Sequence, residues 1–198
     1  MLVIDVETTG LDPKRHSIVS IGAVDLLSPE RQFYGECKIW DGAEIVQEAL
    51  EVNGFSIEEV TRDDKKPLSL LMYEFKRWID EAQELTLAGQ NPAFDRDFLN
   101  DSFHRANIDF KFAARNVDLH SVAYADHIKR GITIPIKNKH SDLSLDAIAK
   151  YTGLREEPKP HNALTGAKFE AEAFSRILYG KKLLPEFEAL EIPDYLSP

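Results

Sequence analysis

Two short turns constrain the N-terminal part of the chain. Asp12-Pro13-Lys14-Arg15 and Ser28-Pro29-Glu30 separate three apolar stretches, at 2–6 (LVIDV), 17–27 (SIVSIGAVDLL) and 31–39. A parallel connection needs a crossover of about a dozen residues or more, so turns this short predict antiparallel neighbours. The first stretch is the most apolar and is expected in the middle of the sheet. Hydrophobic residues make up 43% of the 198 and charged residues 29%, which excludes a mainly disordered chain and suits one domain with a full core.

The pattern then changes. Leu68, Leu71, Met72, Phe75, Trp78 and Ile79 follow helical spacing over 67–82. A fourth strand at 85–89 (LTLAG) runs into a helix from 92 to 106, and a short fifth strand near 116–119 into a helix ending at 129. Residues 130–142 (RGITIPIKNKHSD) read as a loop, and helices near 143–151 and 162–179 complete the core. Three antiparallel strands followed by alternating helices and strands predict an α/β fold, with one mixed five-stranded sheet flanked by helices. The expected domain covers 1–180; residues 181–198, carrying three prolines, read as an extended tail.

A net charge of −10 argues against a large non-specific nucleic-acid surface, though not against a grip on a few nucleotides. The single Cys37 cannot form an internal disulfide, which points to a reducing, cytoplasmic setting. No stretch approaches 18 uncharged apolar residues, so no membrane span is expected. The N-terminus has no basic region ahead of its apolar strand, so no signal peptide is expected either.

Asp5 and Glu7, two apart on the first strand, leave the same face. Two carboxylates there repel each other and lose hydration; a divalent cation relieves both penalties, whereas a position beyond the strand end would leave them merely solvated. Thr8-Thr9-Gly10 follow directly, either as an approach to a phosphate or sugar or as a plain turn. Asp95 falls in the first turn of the 92–106 helix, with Pro92 at its first position and Asn91 suited to its cap. An acid there can serve the helix dipole alone. Phe94 and Phe98 read mostly as core. His161 precedes a helix capped by Asn162, as a general base or as a surface residue.

In order and context, these motifs resemble the DEDDh branch of the DnaQ-like 3′–5′ exonucleases, with a ribonuclease H-like fold. Relatives include the proofreading subunit of bacterial DNA polymerase III, ribonuclease T and oligoribonuclease. The matching segments are IDVETTGLDP at 4–13, AGQNPAFDRDFL at 88–99 and HNALTGAKFEA at 161–171. NGFSIEEV (53–60), VDLHSVA (117–123) and LSLDAIAKYTGL (143–154) resemble the family's intervening elements, so the likeness spans about 2–179.

The resemblance implies hydrolysis of phosphodiester bonds at the 3′ end of single-stranded DNA or RNA, releasing nucleoside 5′-monophosphates with two divalent cations, Mg²⁺ or Mn²⁺. Asp5 and Glu7 would be metal ligands, Asp95 would support the second metal, and His161 would be the general base. Thr8, Thr9 and Leu11 would face the terminal nucleotide, with Leu11 against the last base; Phe94 would line that pocket or serve the core. Lys137 and Lys139 would hold upstream phosphates unless their loop is simply solvated. Related enzymes are often dimers, which makes a homodimer one expectation.

One position departs from the pattern. The family's fourth acidic ligand, five residues after the His, is Gly166 here. Three readings follow: an altered variant of an active enzyme, a nucleic-acid- or partner-binding module that no longer cuts, or substitution by another acid. Glu170 lies one turn later on roughly the same face, but its backbone starts about 6 Å further along the helix, which argues against substitution. Losing even an outer-shell group costs about 10–100-fold in metal affinity or activity, so a weakened first metal site is expected.

Overall fold

The structure is a computed structural model and describes residues 1–196. Ser197 and Pro198, the last two residues of the expected tail, lie outside the described residues. β1 (Leu2–Thr8) pairs antiparallel with β2 (Ile18–Asp25), and β2 with β3 (Gln32–Glu36). β4 (Leu87–Gly89) joins the other edge of β1 in parallel, and β5 (Asn116–Asp118) joins β4. The order β3-β2-β1-β4-β5 is the expected mixed sheet, with β1 at its centre.

α1 (Gln47–Asn53) and α2 (Ile57–Thr61) follow β3, and α3 (Leu68–Asp80) precedes β4. α4 (Pro92–Arg105) and α5 (Leu119–Arg130) follow β4 and β5, and α6 (Leu145–Tyr151) and α7 (Ala163–Tyr179) come last. Alternation along β1 sends Leu2, Ile4 and Val6 into one core with Phe75 of α3 and Phe98, Leu99 and Phe103 of α4. Val3 faces the other core, with Leu119 of α5, Ile148 of α6 and Phe174 of α7. Asp5 and Glu7 share the face of Val3, so the pair is aimed at α7.

One glycine sets how closely α7 approaches. Gly22 of β2 is the register partner of Asp5. A Cβ at Gly22 would lie 2.1 Å from the carbonyl carbon and oxygen of Ala163, so the first turn of α7 rests on bare strand backbone. The start of α7 is thereby held over the centre of β1.

Two regions differ from the sequence expectation. Residues 130–142, expected as a loop, contain a small hairpin of β6 (Ile136–Lys137) and β7 (His140–Ser141). Asn138 and Lys139 turn it with φ of 52° and 67°, the left-handed pair that a two-residue hairpin turn requires. Strands of two residues are too short to show alternation. α1 and α2 are likewise too brief for helical periodicity, although Ser56 and Glu59 form a reciprocal capping box at the start of α2.

Residues 181–196 carry two 3₁₀ turns, Pro185–Phe187 and Asp194–Leu196. Arg176 of α7, fully buried, pairs with Glu172 at 2.8 Å and donates to the carbonyls of Thr152, Phe187, Leu190 and Glu191. Glu172 accepts from the amides of Leu183 and Leu184, each at 2.9 Å. These bonds tie the C-terminal segment to α7. No helix among the described residues is long and apolar enough to cross a membrane.

Candidate active site

β1 outlasts its parallel neighbour, since β4 pairs only with Leu2 and Val3. The edge of β1 beyond them has no strand partner, and the Val6 amide donates instead to Asp95 Oδ1 at 3.0 Å. This bond places the buried Asp95, in the first turn of α4, beside the acids of β1. Pro92 occupies the start of α4 as expected, but Asn91 does not cap it. Its backbone is left-handed (φ 57°), its side chain makes no capping bond, and its amide donates to Asp118 Oδ1 at 3.1 Å. The strand-to-helix turn is too tight for the extended backbone an N-cap needs.

His161 is held from two sides. Its amide donates to Val52 O of α1 at 3.0 Å, and its Nδ1 lies 2.9 Å from Glu157 Oε2. Asn162 then caps α7, accepting from the amides of Leu164 and Thr165. Asn53, at the end of α1, donates from Nδ2 to Thr8 O at 3.1 Å and so ties α1 to the end of β1.

These elements enclose a cleft of about 340 Å³ lined by Asp5, Glu7, Gln90, Glu157, His161 and Glu170, among others. A neighbouring hollow of about 580 Å³ shares Val52 and His161 with it. Asp5, Glu7 and His161 thus meet as the sequence predicts, with Asp95 buried beside them. None of the four residues expected at the nucleotide is among those lining this cleft. Thr8 Oγ1 donates to Gly10 O, and Thr9 Oγ1 donates to Glu44 O and accepts from the Ser17 amide. Both hydroxyls are therefore used inside the fold. Phe94 packs on Phe98 with ring centroids 4.8 Å apart, whereas Leu11 is 83% exposed.

Sequence reasoning missed Glu157, one of two adjacent acids in a proline-containing loop, and Gln90 and Asn53, whose parts depend on tertiary contact. It noticed Glu170 but discounted it. Gly166 faces Asp5 so closely that a Cβ there would fall 2.2 Å from Asp5 Oδ2 and 3.5 Å from Glu157 Oε1.

The electrostatics are those of crowded acids. Burial, then the charges of Glu170, Asp95, Glu7 and Glu157, hold the Asp5 carboxyl well above the usual carboxylate range. Burial pushes Asp95 up to about 7 against the pull of the Val6 amide. Burial likewise pushes Glu7 up to about 7, with His161 opposing and Glu157 adding. Glu170 is raised well above its ordinary value by burial and then by Asp95, and Glu157 is raised mainly by burial.

The donors suit hard divalent cations, which take carboxylate oxygens. Glu157 Oε1 and Glu170 Oε2 are buried without a hydrogen-bond partner, as expected of oxygens reserved for an ion. Among the described residues no three His, Cys, Asp or Glu side chains already stand in metal-ligating geometry. Mutual repulsion of the carboxylates opposes that convergence unless a cation offsets it. On donor chemistry and orphaned oxygens, the residues fit the group.

Residues 2–174 match the RNase T exonuclease family model. The chain belongs to this exonuclease family. Among similar proteins, the Escherichia coli 3′-5′ DNA exonuclease Cap18 is 30% identical over 88% of this chain and 89% of its own. Ribonuclease T of Haemophilus influenzae is 28% identical over 54% of this chain and 52% of its own. E. coli exonuclease I in complex with a 5cy-dT13 oligonucleotide shares the fold, with a TM-score of 0.70 at 18% identity. That match covers 87% of this chain but 39% of the exonuclease I chain. A zinc-bound form of the exonuclease I–single-stranded DNA complex gives a TM-score of 0.72 at 15% identity, over 91% of this chain and 41% of that one.

Proposed function

We propose that this exonuclease hydrolyses the terminal phosphodiester bond at the 3′ end of single-stranded nucleic acid, releasing nucleoside 5′-monophosphates with two Mg²⁺ or Mn²⁺ ions. The observation that carries the reading is the meeting of Asp5, Glu7 and His161 at one cleft, with Asp95 locked beside them through the Val6 amide. The relative Cap18, named as a 3′-5′ DNA exonuclease, supports it.

Bound cations would acidify water and stabilise the leaving 3′ oxygen. Asp5 and Glu7 would hold them, and Asp95 would support the site from the buried side. His161 is the general base. With Nδ1 directed at Glu157 Oε2, 2.9 Å away, its proton sits on Nδ1 and the Nε2 lone pair is free to accept one from water. Glu157 thus sets the tautomer. Of the residues expected at the nucleotide, exposed Leu11 is the one whose side chain is free to press on a terminal base; Thr8, Thr9 and Phe94 shape the turn and helix behind it. Lys137 and Lys139, on the exposed hairpin, would meet phosphates upstream of the cut.

Gly166 favours a second reading, a module that binds nucleic acid without cutting it. A 5′-labelled single-stranded oligonucleotide, incubated with the protein and Mg²⁺ or Mn²⁺, distinguishes the two. Stepwise shortening from the 3′ end, lost in Asp5→Asn and His161→Ala, supports the exonuclease. Retention without shortening supports the binding module, and neither outcome rejects both.

A further inference from the structure

Glu170 is 4% exposed, yet it carries a carboxylate with one oxygen unpartnered. Oε1 accepts the Gln90 amide at 3.1 Å, while Oε2 makes no hydrogen bond. A buried carboxylate left half satisfied is costly, and no basic side chain among the described residues bonds to it. We infer that Glu170 supplies, from the same helix, the carboxylate that the third motif lacks at position 166. The inference rests on the two-cation reading above.

Helix geometry answers the objection from distance. Long side chains on a helix lean toward its N-terminus, so residue 170 covers the turn that begins at 166. Glu also reaches one methylene further than Asp. Together these recover much of the roughly 6 Å by which the two backbone positions differ.

Position 166 faces the end of the Asp5 side chain. Asp5 Oδ2 occupies the place that a side chain there would need, 2.2 Å from its Cβ. A side chain at 166 would require the Asp5 carboxylate to turn aside. Glu157 is the competing candidate, with its unpartnered Oε1 3.5 Å from the same Cβ position. Its other oxygen already has a task in holding His161, whereas Glu170 meets only the Gln90 amide.

The test is Mn²⁺ binding by the full chain, followed by calorimetry and electron paramagnetic resonance, with thermal unfolding in chelator alongside. Glu170→Gln is expected to weaken Mn²⁺ binding by about tenfold or more. Its unfolding temperature in chelator should match or exceed that of the parent, because the amide oxygen still accepts from Gln90 and the buried carboxyl, costly to ionise, is gone. A purely structural Glu170 would lower that temperature instead, which would overturn the inference. Glu170→Asp, which keeps the charge and shortens the reach, should also lose affinity. Unchanged affinity in Glu170→Gln, with affinity lost in Asp5→Asn, refutes the role of Glu170 and leaves the two-cation reading intact. Loss in Glu157→Gln but not in Glu170→Gln assigns the place to the loop carboxylate and refutes it as well. Unchanged affinity in Asp5→Asn defeats the underlying reading itself.

Discussion

Raising the pH from 5 to 8 in the presence of a chelator should destabilise this protein, and the carboxylate cluster sets the amount. Burial lifts Glu7 from an ordinary 4.5 to about 7 and Asp95 from 3.8 to about 7. In the unfolded chain both groups are largely ionised by pH 5. In the folded chain both keep their protons until about pH 7. The folded state therefore binds more protons across this window, and stability falls as pH rises through it. Each unit is worth about 1.36 kcal/mol, so full ionisation of either group costs roughly 3–4 kcal/mol. Relaxation and water entry at an open cleft lower that figure, leaving about 3 kcal/mol for the pair as a working value. For a chain of this length, about 2–4 °C per kcal/mol turns this into a fall of roughly 6–12 °C in Tm. Asp5, Glu157 and Glu170, also raised, act in the same direction. Thermal unfolding followed by circular dichroism at pH 5, 6, 7 and 8 measures the slope. Glu7→Gln combined with Asp95→Asn should flatten it, and saturating Mn²⁺ should raise Tm more at pH 8 than at pH 5. A Tm that is flat or rising across this range in chelator, or a slope unchanged in the double variant, would refute the reasoning.

Gly22→Ala should destabilise by about 1–3 kcal/mol in urea titrations, because its Cβ would meet Ala163 backbone at 2.1 Å; a tolerated alanine would show that α7 does not depend on this close approach. Arg176→Met should cost about 3–5 kcal/mol by leaving Glu172 charged and buried, and adding Glu172→Leu should recover part of the loss. An unmoved unfolding midpoint in the single variant would contradict that account. Lys137→Ala with Lys139→Ala should shallow the dependence of log affinity on log salt for single-stranded oligonucleotide by about 0.7 for each phosphate the lysines no longer neutralise; an unchanged slope removes the hairpin from the binding surface.

Much of the fold was legible because its signals are local. Turn lengths announced the antiparallel β1–β3 meander, and helical spacing from Leu68 to Ile79 announced α3. The small hairpin at Asn138-Lys139 and the brief α1 and α2 were not, since elements that short carry no full period. At the site, the motifs singled out Asp5, Glu7 and His161, which line one cleft, and Asp95, buried beside them. They did not show that the hydroxyls of Thr8 and Thr9 would be used inside the fold, because the Glu44 and Ser17 groups that bond Thr9 lie far from it along the chain or across the sheet.

Composition, turn length and periodicity determined that this chain builds a central acidic strand in a mixed sheet, since those properties depend on neighbours a few residues away. Which acid confronts Asp5 was decided only when α7 docked on β2 at Gly22. That docking aligns a helix and a strand from opposite ends of the chain. It sets Gly166 against Asp5, and brings the carboxylates of Glu157 and Glu170 to the cleft around it. Distances between groups so remote in sequence are set by packing, on which local pattern has no hold.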